Sequence, residues 1–270
     1  MSDHASSSTA TQLAQNSVFE RFARGGYVVS GLLHLIIGYL AIRLALGGGG
    51  TADQSGALAA LAAKRGGIVA LWIAAVALTV MGLWRLVETA LGRSTDPKAQ
   101  GAPSEVLDRA KAFALAVVYL AFAYSALGFA RGAGKSTGAQ NAGMSARLMQ
   151  TGAGTIAVVG AGIVIVLVGG YHVYKGASRN FLADLEGHSS DLVRRLGVVG
   201  YIAKGLVIAG AGVLVIVAAS RSEPSRVTGL DGALKTLGAQ PYGVALLIAA
   251  GMGIITYGLY SFAMARYAKM

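Results

Sequence analysis

A chain of 270 residues in which 54% are hydrophobic and only 13% charged, with a mean hydropathy of +0.59, lies outside the usual composition of a water-soluble domain, where about a quarter is charged. Its net charge of +11 does not point to a nucleic-acid partner, because the basic residues are scattered between apolar runs and form no patch with interleaved aromatics. They read instead as flanks of membrane spans facing anionic lipid, so membrane lipids are the expected partner. The absence of cysteine excludes disulfides, thiolate metal sites, iron–sulfur clusters and catalytic thiols.

Along the chain, the polar opening MSDHASSSTATQLAQNS lacks the basic region, apolar core and small-residue cleavage site of a cleavable signal peptide. Residues 1–19 are expected to form a disordered tail. Six segments then pass the length test for a spanning helix, roughly 17–25 largely apolar residues: 25–46, 67–91, 112–130, 152–174, 196–219 and 242–265. The first carries His34 near its middle, the second acquires Arg85 and Glu88 in its last two turns, and the fifth carries Lys204 two turns from its start. None of the four prolines falls inside a span, so the helices should be straight. The broken midplane helices with which many transporters bind ions are not expected.

An internal repeat organises these segments. Gly26-Tyr27, Ser30-Gly31 and Gly38 match Gly200-Tyr201, Lys204-Gly205 and Gly212 at one offset, and Gly56-Ala57-Leu58, Gly67 and Gly82-Leu83-Trp84 match Gly232-Ala233-Leu234, Gly243 and Gly258-Leu259-Tyr260. In the more diverged middle third, Arg109, Tyr124, Gly154, Gly169 and Tyr171 fall opposite Arg24, Tyr39, Gly67, Gly82 and Trp84. The expected fold is therefore an all-α membrane protein of six transmembrane helices, built as three parallel two-helix repeats over 20–92, 105–181 and 192–268. An even number of spans per unit relates the copies by a pseudo-three-fold axis along the membrane normal. Each connector holds a short amphipathic piece, clearest at 56–67 and 230–243, which lies on the membrane surface or starts the second helix a turn early. Lys and Arg number twelve on the side of the termini and eight on the other, placing both termini in the cytoplasm.

The repeat also carries a likeness. ARGGYVVSGLLHLIIGYLAIRLALG with SGALAAL and GLWRLVE, then DRAKAFALAVVYLAFAYSALGFA with YHVYKGASRNF, then LGVVGYIAKGLV with GLDGALKTLGAQPYG and GLYSFAMARY resemble the three successive repeats of a bacterial membrane family catalogued as domain of unknown function 1206. The likeness covers roughly residues 20–268. It implies a six-helix inner-membrane protein of three tandem units, and brings no established activity, cofactor or catalytic residue with it. Lys204 stands where the family leads one to expect arginine.

Candidate chemistry is sparse. His34 lies about 15 Å along a helix from Arg24 at 1.5 Å per residue, near the bilayer centre, where an ionisable group suggests function. Its counterparts are Tyr119 and Ile208, so His34 and Tyr119 could meet near the pseudo-axis; the alternative is a neutral, hydrogen-bonded histidine that helps pack the bundle. His172 is the other histidine in a span, but about 10 Å shallower by helical rise, which disfavours a haem held between the two, and no cofactor is expected. Arg85, Glu88, Lys204 and Arg195 form a candidate inner-face site for an anionic ligand or lipid headgroup, against the plainer reading that such residues snorkel to the interface. Trp84, Tyr171 and Tyr260 share one level and read as an aromatic belt. Small-xxx-small spacings such as Gly205–Ala209 and Ala249–Gly253 predict close helix approach.

Nothing in the chain assembles a nucleophile, a base and an oxyanion site. The expected protein is non-catalytic: a scaffold, an accessory subunit of a membrane-protein partner or homo-oligomer, or a lipid binder. The alternative is a small-solute or ion transporter or channel with a path near His34.

Overall fold

The computed structural model describes residues 3–91, 103–186 and 190–268, and side-chain surroundings from Arg24 on, Glu88 and a few positions at helix ends apart. Among these residues are nine α-helices: α1 (Asp3–Ala45), α2 (Gln54–Ala62), α3 (Gly67–Leu91), α4 (Pro103–Ala130), α5 (Thr137–Leu148), α6 (Gly152–Ala177), α7 (Asp191–Ser220), α8 (Leu230–Gly238) and α9 (Gly243–Tyr267). Short 3-10 turns follow α6 (Asn180–Asp184) and α7 (Pro224–Arg226).

Six of the helices, α1, α3, α4, α6, α7 and α9, are long and apolar enough to cross a membrane. Their starts follow local chemistry. Pro103 opens α4, its fixed φ suited to a first helical turn. Thr151 Oγ1 accepts from the Gly154 amide at 3.1 Å to cap α6, and Ser190 Oγ accepts from the Val193 amide at 3.4 Å to cap α7. α1 begins at Asp3, so helical backbone runs through 3–19 where composition suggests a disordered tail. DHASSSTATQLAQNS contains no glycine or proline that would stop a helix. The connector pieces are separate short helices, α2, α5 and α8, rather than early turns of the spans.

The helices divide into two compact units, the first made of the residues up to Ala57 and from Thr137 on, the second of Leu58–Ser136. In the first unit α1 packs on α9, α6 on α7 and α7 on α9; in the second α3 packs on α4.

Three of these pairs are copies of one antiparallel crossing. Gly31 lies against Gly258 and Gly38 against Gly251; Gly205 lies against Gly169 and Gly212 against Gly162; Gly82 lies against Ala116 and Leu120. These positions are equivalent in the sequence repeat. A Cβ added at Gly205 would stand 2.6 Å from the Gly169 carbonyl oxygen, and one at Gly169 2.5 Å from the Ala209 amide. Small residues are thus required because backbone, not side chain, fills the space. The contacts recur every seven residues, two helical turns, whereas spacing in the sequence suggests four. The second helix of each repeat crosses the first helix of the next, and the last, α9, crosses the first, α1. This is the local equivalence that a pseudo-three-fold plan requires.

At the ends of the spans away from the C-terminus of α9, buried polar residues tie the connectors together. Asp231 at the start of α8, 6% exposed, accepts from the Ala52 amide at 2.8 Å and pairs with Lys235 at 2.7 Å. Asp53 accepts from the Gly56 amide at 2.9 Å and the Ser55 hydroxyl at 2.5 Å, and Ser55 Oγ in turn accepts from the Thr137 amide at 3.1 Å. Asp231→Ala leaves the Ala52 amide buried and unpaired. A loss of about 1–3 kcal/mol is expected, read as a lower melting temperature of the detergent-solubilised protein; an unchanged melt would mean the tie is not formed.

Candidate functional site

At the opposite end of the first unit, α1, α6, α7 and α9 converge around aromatic residues that lie about two to three turns from the ends of α7 and α9. α9 presents Tyr257, Tyr260, Ser261 and Met264 inward, all buried, as a spacing of three to four residues requires. The segment after α6 turns back beneath them. Leu185 bridges Ala268, and the Glu186 amide donates to the Tyr267 carbonyl at 2.6 Å, pinning the connector to the end of α9.

Tyr201 of α7 is the hub. Its ring stacks on Phe181 at 5.5 Å and meets Tyr257 and Tyr260 edge-on at 5.2 and 5.5 Å. Gly200 and Gly197 make this possible: a Cβ at Gly200 would meet the Tyr257 backbone at 2.6 Å, and one at Gly197 would collide with the Phe181 ring. Tyr257 also contacts two basic groups. Lys204 Nζ stands 3.9 Å from the ring centroid, and the His34 ring lies 4.8 Å away, so a cation–π contact holds the one amine well inside the apolar stretch of α7. His34 Nδ1 is 2.7 Å from the Ser30 carbonyl oxygen, which can only accept, so Nδ1 bears the proton and Nε2 the lone pair. His172, with Nδ1 2.8 Å from the Val168 carbonyl and its ring 5.9 Å from Tyr201, has the same tautomer.

A pocket of about 500 Å³ opens beside this cluster, lined by Tyr27, Lys175, Ala183, Asp184, Tyr201, Tyr257, Met264 and Ala268. Across its wall Lys175 Nζ pairs with Asp184 Oδ2 at 2.6 Å and lies 5.6 Å from the Tyr201 ring centroid. Arg24 stands nearby, its guanidinium donating to the carbonyls of Ala265 and Arg266 at 3.0 and 2.7 Å. His34 and Lys204 contact Tyr257 but are not among the residues that line the pocket.

The candidate residues read from sequence are distributed as follows. His34 meets Tyr257, while Tyr119 lies half-buried on α4 in the second unit. Lys204 is at the cluster, whereas Arg195, nine residues earlier on α7, is exposed and about half a turn out of phase with it at 100° per residue. Arg85 is half-buried on α3 of the second unit, and the Glu88 side chain falls outside the described residues. Tyr260 departs from the belt reading: it is fully buried, with its hydroxyl unpartnered among the described residues, while Trp84 and Tyr171 are 50% and 58% exposed. Phe181 and Tyr201 cover it, contacts that its level in the membrane could not reveal. Tyr201, Tyr257, Lys175 and Asp184 were missed as a group; the inward stripe Tyr257, Tyr260, Met264 was the available signal. Among the described residues no three His, Cys, Asp or Glu side chains gather as a metal site would require.

Six long apolar helices, glycine seams between them and apolar residues such as Ile73, Ile156 and Leu167 turned outward define a multi-pass membrane protein. The chain belongs to the family described as Domain of Unknown Function (DUF1206), whose model matches residues 25–92, 110–179 and 199–268. It is similar to the uncharacterized protein YxxB of Bacillus subtilis (strain 168), with 28% identity over 258 residues, 93% of this chain and 92% of that protein. No solved structure matches it.

Proposed function

We propose that the protein is a non-catalytic component of the bacterial inner membrane, both termini cytoplasmic, that binds a lipid headgroup in the Lys175–Asp184 pocket. The observation that carries this reading is the pocket itself. It is a cavity of headgroup size beside the ends of membrane-crossing helices, lined by one amine and one carboxylate together with tyrosine, methionine and alanine side chains. The count of basic residues supports its assignment to the cytoplasmic leaflet. Lipid should remain on the purified protein through mild delipidation and be counted by native mass spectrometry. Lys175→Ala, whose site is at the edge of the fold, should reduce retained lipid about tenfold through loss of a charge-assisted contact. Equal lipid on the wild type and the variant would remove the pocket from consideration.

A further inference from the structure

Resting on the lipid-binding reading, we infer that the pocket selects a headgroup bearing both a phosphate and a primary ammonium, the phosphoethanolamine class. The walls supply one amine and one carboxylate, already paired with each other at 2.6 Å. A ligand carrying only negative charge must draw Lys175 off Asp184 and leave the carboxylate facing new negative charge. A ligand carrying only positive charge reverses the problem at Lys175. A headgroup with both signs exchanges the internal pair for two: its phosphate takes Lys175 and its ammonium takes Asp184, leaving no charge uncompensated.

Two further features favour the primary ammonium. The pocket is lined by Tyr27, Tyr201 and Tyr257, and the Tyr201 face already attracts a primary ammonium, that of Lys175, at 5.6 Å. These faces would also accept a quaternary ammonium. Asp184, however, rewards N–H donors, which a phosphocholine group lacks. Lys175 and Asp184 are respectively 19% and 51% exposed at the side chain, so it is the half-exposed carboxylate that has room to turn toward a ligand, away from the buried cluster of Phe181, Tyr201, Tyr257 and Tyr260. The cavity of about 500 Å³ falls in the range typical of small-molecule sites.

The experiment compares binding of phosphatidylethanolamine, phosphatidylcholine and phosphatidylglycerol of identical acyl chains to the delipidated full-length protein, by native mass spectrometry. Phosphatidylethanolamine should bind about tenfold more tightly than either of the others. Asp184→Asn should abolish the preference over phosphatidylcholine while leaving lipid bound. Because Asp184 lies on a half-exposed turn, a melting curve of that variant distinguishes lost selectivity from lost fold, and the Lys175→Asp, Asp184→Lys double variant, which restores both charges in exchanged places, should recover the preference in part. Phosphatidylglycerol binding as tightly as phosphatidylethanolamine would overturn the zwitterion assignment and leave the lipid-binding reading standing. No lipid retained by the wild type would overturn both. Competition by soluble glycerophosphoethanolamine as strong as that of the lipid would support the same headgroup chemistry with a free solute as its source.

Discussion

Gly169→Ala should cost the fold about 3 kcal/mol, the upper range for overpacking, because the added methyl meets backbone on α7 rather than a side chain that could rotate away. Its Cβ would lie 2.5 Å from the Ala209 amide nitrogen and 2.7 Å from the Gly205 carbonyl oxygen, so α6 and α7 must separate and every contact along that seam loosens with them. The neighbouring glycine supplies the control. Gly170 has no heavy atom within 4 Å of an added Cβ, and Gly170→Ala should be neutral or gain up to about 1 kcal/mol from helix propensity. Thermal melting of the pair in one detergent reads the difference directly. A Gly169→Ala protein that melts with the wild type would mean the helices are not in backbone contact there.

The second large effect is expected at Tyr257, which is 6% exposed, lines the pocket and contacts Lys204 and His34. Tyr257→Ala removes a buried aromatic and should cost about 3–5 kcal/mol, while Tyr257→Phe keeps the ring and should stay within about 1 kcal/mol of the wild type. The role of Lys204 can then be isolated. In a Tyr257→Leu background the amine loses the ring that holds it, and adding Lys204→Met should restore about 2 kcal/mol. In the wild-type background the same Lys204→Met should be close to neutral, since it removes a desolvated charge together with its partner contact. If Lys204→Met changes stability equally in both backgrounds, the contact across Tyr257 contributes nothing.

The parts of this fold legible in sequence are those set by local composition. Uninterrupted apolar runs gave six spans within a few residues of their helical limits, except where Asp3, Pro103 and Asp191 start α1, α4 and α7 earlier in polar sequence. The repeat was equally visible, since Gly82, Gly169 and Gly258 occupy one register. What the repeat could not show is the partner of each glycine. Gly31 opposes Gly258 across a sequence separation that no periodicity encodes, and the natural assumption that the two helices of one repeat pack together holds for α7 and α9 only as one of two packings of each. The site was less legible still. His34 and Lys204 stand out because ionisable groups are rare in apolar runs, but the residues that connect them are tyrosines, common at membrane interfaces and unremarked there. Asp184 lies in a polar linker where one carboxylate looks like any other. Only the return of that linker beneath α9, pinned at Leu185 and Glu186, turns it into the wall of a pocket.

The crossing of α1 with α9 bears on how the chain is made. α3 with α4 and α6 with α7 join helices that are neighbours in the chain and can form as soon as the second of each pair is synthesised. The seam of Gly31 and Gly38 instead waits for Gly258 and Gly251, and the Arg24 guanidinium finds its carbonyl acceptors 241 and 242 residues later. Until α9 has been synthesised, the glycine stripe of the first helix therefore lacks the partner backbone that closes on it, and this seam forms later than the two between chain neighbours.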